Sequence, residues 1–255
     1  MAAMPLLECF IRGDVDPEVS LLAAQGALAP RADEQLAILV YLVTHDETHV
    51  ATVANQTIAA LPVEAVAGLL ARPDTSEKVL AFFAARGIVP GAAATEDTDA
   101  PLVDTGGEVE AGPEVDDPAK VVLLQSMTVP QRLKLAMKGT REQRAVLVRD
   151  PNRMIAAAVL SSPKLAETEV EAFARMANVS EDVLRTISMN RAWMRKLAVA
   201  CALVKNPKTP AAISLHLLPR MTQREVKQLA IDRNVPESLR LNAKKMMQRQ
   251  QDRQK

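Results

Sequence analysis

The sequence predicts an all-α protein of stacked helical hairpins, an α-solenoid, in two blocks joined by an acidic linker. Three observations carry this. Aromatic residues make up only 2% of the 255 residues while hydrophobic residues reach 48%, and a core of Ala, Leu, Val and Met suits closely packed helices better than the pleated surface of a sheet. Helix-start signals recur at intervals of roughly 10 to 15 residues, the spacing of short helices joined by tight turns. One ten-residue segment also returns without a gap 44 residues later.

The N-terminal block, residues 1–87, reads as five helices: Pro17 to Leu28, Asp33 to Val43, Glu47 to Ala60, Val63 to Leu70 and Ser76 to Arg86. Asp46 and Thr75 are expected as caps, because a short polar side chain can satisfy an orphan amide of the first turn. The segment 88–118 follows. It holds nine acidic residues and no basic one, with Gly, Pro, Ala and Thr filling most of the rest. So little apolar surface cannot offset the entropy of ordering, and a disordered, self-repelling linker is expected.

In the C-terminal block, residues 119–255, Thr128-Val-Pro-Gln131, Thr140-Arg-Glu-Gln143 and Thr222-Gln-Arg-Glu225 have the capping-box form, a hydroxyl and a Glu or Gln serving each other's ends of the first turn. Asp150-Pro151 and Thr209-Pro210 set a cap residue before Pro at the first helical position. Ser180 and Asn234 are read as further caps. Ile155-Ala-Ala-Ala-Val-Leu-Ser-Ser-Pro163-Lys164 aligns with Val199-Ala-Cys-Ala-Leu-Val-Lys-Asn-Pro207-Lys208 at the interval of 44. Phe173-Ala174 with Asn178-Val-Ser-Glu181 is echoed by Leu229-Ala230 with Asn234-Val-Pro-Glu237, and Leu70 to Leu80 is a fainter copy. The tail from Lys244 to Lys255 extends the last helix and frays.

A period near 44 is that of the HEAT and armadillo class, in which each helix pair buries its apolar face by stacking on its neighbours. Asn206-Pro-Lys-Thr-Pro210, followed by Ile213 and Leu217, resembles the turn-then-helix element of bacterial leucine-rich-repeat-variant and HEAT-like proteins. The stretch from about Val121 to Met247, roughly half the chain, resembles bacterial HEAT-like proteins as a whole. The resemblance implies an α-solenoid and no activity. The iron–sulfur cysteine cluster that accompanies one leucine-rich-repeat-variant protein is absent, so no cofactor carries over.

Charge supplies the functional signal. Up to Pro118 five basic residues face 20 acidic ones, a net of −15; from Ala119 onward 26 basic residues face 11 acidic, a net of +15. Such asymmetry calls for an anionic partner or for contact between the halves. Arg149, Arg153, Arg185, Arg191, Arg195 and Lys196 are the candidate surface for that partner. Other chemistry is sparse. His45-Asp-Glu-Thr-His49 brings two His into zinc-ligand spacing, but Asp46 as a cap sets His45 in the turn before the helix and no third ligand presents itself, so no metal is expected. Trp193 among Arg191, Arg195 and Lys196 could stack a base; its apolar surroundings favour the core. The comparison with HEAT-like DNA glycosylases fails, since no acid follows Trp193 within two turns.

No phosphate-binding glycine loop, dinucleotide fingerprint or nucleophile elbow occurs, so no catalytic residue and no cofactor is assigned. Cys9 and Cys201 form no C-x-x-C, no signal peptide begins the chain, and no apolar run reaches a membrane span, so a reducing cytoplasmic setting is expected. The expected function is a non-enzymatic scaffold whose basic solenoid surface binds an acidic protein partner. The alternative is nucleic-acid binding by the same face, and the linker could fold onto that face as an internal polyanion.

Overall fold

A computed structural model describes residues 4–45, 48–91, 100–107, 124 and 126–252. All the regular secondary structure among the described residues is helical, with no strand. The chain divides into two compact units, Ala3–Leu165 and Ala166–Lys255.

The first unit contains α1 (Pro5–Arg12), α2 (Pro17–Ala24), α3 (Ala32–His45), α4 (Thr48–Ala60), α5 (Val63–Leu70), α6 (Glu77–Ala84), α7 (Val129–Lys138), α8 (Arg141–Leu147) and α9 (Arg153–Ser161). Helix α3 packs on α1, α2, α4 and α6, burying Leu36, Leu39 and Leu42. Helix α9 packs on α1, α7 and α8, and every residue from Met154 to Ser161 is at most 8% exposed. Its Ala-rich sequence suits a helix surrounded on all sides, since small side chains allow close approach.

Helix α1 was not among the five expected. It has no polar cap: Met4 precedes Pro5, and no side chain before it bonds the first turn. Those amides are served from α3 instead. Glu34 Oε1 accepts from Leu6 N at 2.7 Å and Leu7 N at 3.1 Å. Asp46 and Glu47 lie outside the described residues. The cap of α6 is Ser76, whose hydroxyl accepts from Val79 N, and not Thr75, which donates to Leu69 O at 2.9 Å.

Of the expected linker, residues 88–91 and 100–107 are described, and these are held in place, which corrects the expectation of disorder for them. Gly91 N donates to Ala67 O at 3.0 Å. The buried Gln35 amide pairs with both backbone groups of Val103, donating to its oxygen at 2.6 Å and accepting from its nitrogen at 3.1 Å. Lys138 Nζ binds Asp104 Oδ1 and Gly107 O, each at 2.6 Å. Charge that would otherwise repel is neutralised there, and the polar backbone finds partners. The rest of the linker, 92–99 and 108–118, lies outside the described residues.

The second unit contains α10 (Glu167–Arg175), α11 (Glu181–Met189), α12 (Arg191–Met194), α13 (Leu197–Lys205), α14 (Ala211–Leu217) with a 3₁₀ turn at Leu218–Arg220, α15 (Gln223–Ile231) and α16 (Glu237–Asp252). Helix α13 packs on α10, α11, α12 and α14, and α16 packs on α14 and α15. Leu184, Leu203, Val226 and Leu239 are fully buried here.

The sequence intervals have counterparts in these elements. Helices α9 and α13 both run nine residues, offset by 44. Helices α10 and α15 both run nine residues, offset by 56, and the helices after them begin at Glu181 and Glu237. Ala166 N donates to Glu169 Oε2 at 3.0 Å, and Thr222 N to Glu225 Oε2 at 3.0 Å.

Thr140, Ser180 and Thr222 cap as expected, each hydroxyl accepting an amide of its own first turn. Three other caps are corrected. Asp150 does not start α9; Asn152 does, its side chain accepting from Met154 N, while Asp150 is drawn into an ion pair with Arg132. Helix α14 starts at Ala211 after Pro210, with Thr209 buried before it. Asn234 sits in the turn before α16, where its nitrogen donates to Asp232 Oδ1.

Candidate basic interface and cleft

The basic residues singled out in sequence fall in different units. Arg149 and Arg153 belong to the first, Arg185, Arg191, Arg195 and Lys196 to the second. All six are exposed. Arg149 Nε donates to Ala145 O at 2.9 Å, one turn back on α8.

The second unit holds 17 basic residues against nine acidic, a net of +8. Its carboxylates are largely committed. Glu167 pairs with Lys196 at 2.9 Å, Glu181 with Arg185 at 2.7 Å, and Glu171 with Arg175 on its own helix. Glu169 is buried as a cap, and Glu225 accepts from Cys201 and Thr222. Exposed pairs of this kind are individually weak, yet they consume most of the available negative charge. Arg191 and Arg195, at either end of α12, make no ion pair among the described residues, and neither do Lys205, Arg224, Lys227 or Arg233. The surplus positive charge therefore faces solvent.

Helix α12 is short because Asn190 interrupts the chain and restarts it, its Oδ1 accepting from Ala192 N and Trp193 N. This places Trp193 inward at 6% exposure, with Arg191 and Arg195 outward.

A cleft of about 510 Å³ opens on α13, lined by Arg175, Leu197, Ala198, Cys201, Ala202, Lys205, Asn206, Pro207 and Glu225, a size within the usual range of ligand sites. Leu197, 42% exposed, and Ala198 give it an apolar wall. Arg175 and Lys205 stand at the C-terminal ends of their helices, where the helix dipole favours cations. Cys201 Sγ donates to Glu225 Oε1 at 2.7 Å and lies 3.6 Å from Met221 Sδ. Desolvation, then the bond to Glu225, push the Cys201 thiol up to about 12. The same bond, with the Thr222 amide, holds the Glu225 carboxyl below its ordinary range. The thiol is thus a hydrogen-bond donor at neutral pH and a poor nucleophile. Sequence reasoning missed this cleft.

His45 ends α3 and stacks on Tyr41 with ring centroids 4.6 Å apart, and its Nδ1 is hydrogen-bonded to Thr44 Oγ1 at 2.6 Å. His49 stands on the following helix. Among the described residues, no group of three or more His, Cys, Asp or Glu could hold a metal ion, and no single helix is long and apolar enough to cross a membrane.

No protein-family model, no curated protein and no solved structure matches the chain.

Proposed function

We propose that this protein is a non-enzymatic interaction scaffold of stacked HEAT-like helical hairpins, in which the basic surface of the C-terminal helices binds an acidic protein partner. The observation that carries this reading is the uncompensated charge of the second unit: a net of +8 with its carboxylates mostly tied up in local pairs and caps. The solenoid reading is supported by the matched helix spans at intervals of 44 and 56. In this reading Arg185, Arg191, Arg195 and Lys196 of the second unit meet the partner's carboxylates. Two free cysteines suit a reducing cytoplasm.

Nucleic-acid binding is the alternative. Burial of the sole tryptophan, Trp193, favours a protein partner, because it removes the indole from base stacking.

The test is binding of the full-length chain to labelled poly-glutamate, and to duplex and single-stranded nucleic acid, across a range of salt. Capture of poly-glutamate that weakens with Arg191→Glu and Arg195→Glu supports the scaffold. Retention of nucleic acid with a steep salt slope and no capture of poly-glutamate moves the assignment to the alternative. Binding of neither removes both.

A further inference from the structure

The repeat relation between α9 and α13 makes one difference between them informative. Under the offset of 44, Arg153, Met154, Ala157, Ala158, Ser161 and Ser162 correspond to Leu197, Ala198, Cys201, Ala202, Lys205 and Asn206. In the first unit this face is covered from Met154 onward, with only Arg153 exposed. Helix α1 packs along α9; its buried Leu6, Cys9 and Phe10 face inward, and Arg31 N, beside it, donates to Ser161 O at 3.2 Å. Met154, Ala157 and Ser161 are consequently 4%, 8% and 0% exposed. In the second unit the same face is open. Ala198 and Lys205 are exposed, Cys201 is half-buried, Leu197 is 42% exposed, and the cleft of about 510 Å³ lies over them.

We infer that the cleft on α13 is a docking groove for a short amphipathic helix bearing acidic residues, supplied by the protein partner, seated as α1 seats on α9. The inference rests on the scaffold reading above and names its contact site. The kind of occupant follows from α1 itself: eight residues, PLLECFIR, with one apolar face. The charge of the occupant follows from the cations that line the cleft, Lys205 and Arg175, since the Glu225 carboxylate there is taken up by Cys201 and Thr222. Where α9 offers Arg153 and Ser161, α13 offers Leu197 and Lys205, and Arg175, paired with Glu171 on its own helix, also lines the cleft. An incoming helix with Leu or Phe on one face and Glu beside it covers Leu197 and Ala198 and meets both cations. This is the helix-in-groove mode, with anchors at i, i+3 or i+4 and i+7.

The experiment uses the full-length chain and three fluorescent synthetic dodecapeptides: a Leu/Phe/Glu helix of amphipathic spacing, its scrambled isomer of equal charge, and a Lys-for-Glu version. Anisotropy reports affinity, and protection of Cys201 from maleimide reports location, with buried Cys9 as internal control. The amphipathic acidic peptide is expected to bind at least tenfold more tightly than its scramble and to slow Cys201 labelling. Ala198→Trp, at an exposed position that fills the groove, is expected to cost at least tenfold in affinity, Lys205→Glu severalfold, and Lys78→Glu, on exposed α6 of the first unit, under twofold. Equal binding of amphipathic and scrambled peptides, or indifference to Ala198→Trp, overturns the groove while leaving a charge-driven scaffold. Preference for the Lys version overturns the acidic specificity of both readings. Failure of every peptide to bind overturns the groove, while poly-glutamate capture decides the scaffold separately. Self-association of the chain abolished by Ala198→Trp assigns the groove to a second copy and overturns the partner helix.

Discussion

Asn206 closes α13 as Ser162 closes α9, 44 residues earlier. The Asn206 amide donates to Ala174 O at 2.8 Å and Met176 O at 2.9 Å, and its oxygen accepts from Lys208 N. Ser162 Oγ donates to Met137 O at 2.7 Å and accepts from Lys164 N at 3.3 Å. Each ties the end of one helix to the end of an earlier one. Even the lysines correspond, Lys164 Nζ reaching Lys138 O and Lys208 Nζ reaching Val179 O.

Asn206→Ala is expected to destabilise the second unit by about 2 kcal/mol, because a buried and a half-buried carbonyl lose their donor. Asn206→Ser, the residue found at the equivalent turn, should restore part of that. Urea denaturation followed by circular dichroism measures both, and an Asn206→Ala chain as stable as the parent would contradict the role.

Glu34 makes the first unit pH-sensitive. Burial raises its carboxyl from the ordinary 4.5 to about 7, reinforced by Asp33 and opposed by the Leu7 and Leu6 amides that donate to it. The folded state holds the extra proton across that window, so stability declines as pH rises from about 4.5 to 7 and levels off above it. The full effect is on the order of 3 kcal/mol. Glu34→Gln, which keeps an acceptor for Leu6 N, should flatten this slope in denaturation midpoints measured from pH 4.5 to 8.

Glu225→Gln is expected to raise the rate of Cys201 alkylation at pH 8 by roughly tenfold, since removing the carboxylate charge lets the thiol ionise more easily. Gln retains the capping box at Thr222, so the helix should persist. Cys9, whose thiol burial pushes up to about 11, should not change. Mass spectrometry of timed labelling separates the two sites.

Gly26 adopts φ +74°, and a Cβ there would lie 2.6 Å from Val103 Cγ1. Gly26→Ala therefore meets a left-handed backbone and a packed side chain together. A loss of at least about 1 kcal/mol is expected, with faster amide exchange at Val103 as residues 100–107 lift. Unchanged protection at Val103 would show these residues to be held independently of this turn.

Much of the helical outline was legible because its signals are local. Val63–Leu70 falls where the apolar spacing put it, and Thr140, Ser180 and Thr222 cap the helices they precede. Misreadings arose where a distant group claimed the residue. Asp150 looks like a cap until Arg132, 18 residues away, is placed beside it. Helix α1 escapes notice because its capping acceptor, Glu34, is 28 residues downstream. The ordered part of the acidic segment depends likewise on Gln35 and Lys138. The cleft was the least legible. The sequence of α13 reads as a buried helix like α9, and only the placement of neighbours reveals which of the two faces is left uncovered.

Helix α1 lies near the start of the chain, and the face it covers is formed by residues 153–161. During synthesis Leu6, Cys9 and Phe10 thus leave the ribosome well before their seat exists, since some 140 residues must be translated first. Closure of the first unit is a late, long-range event, which slows folding relative to the local hairpins downstream. Until α9 emerges, the apolar face of α1 lacks the helix it packs along.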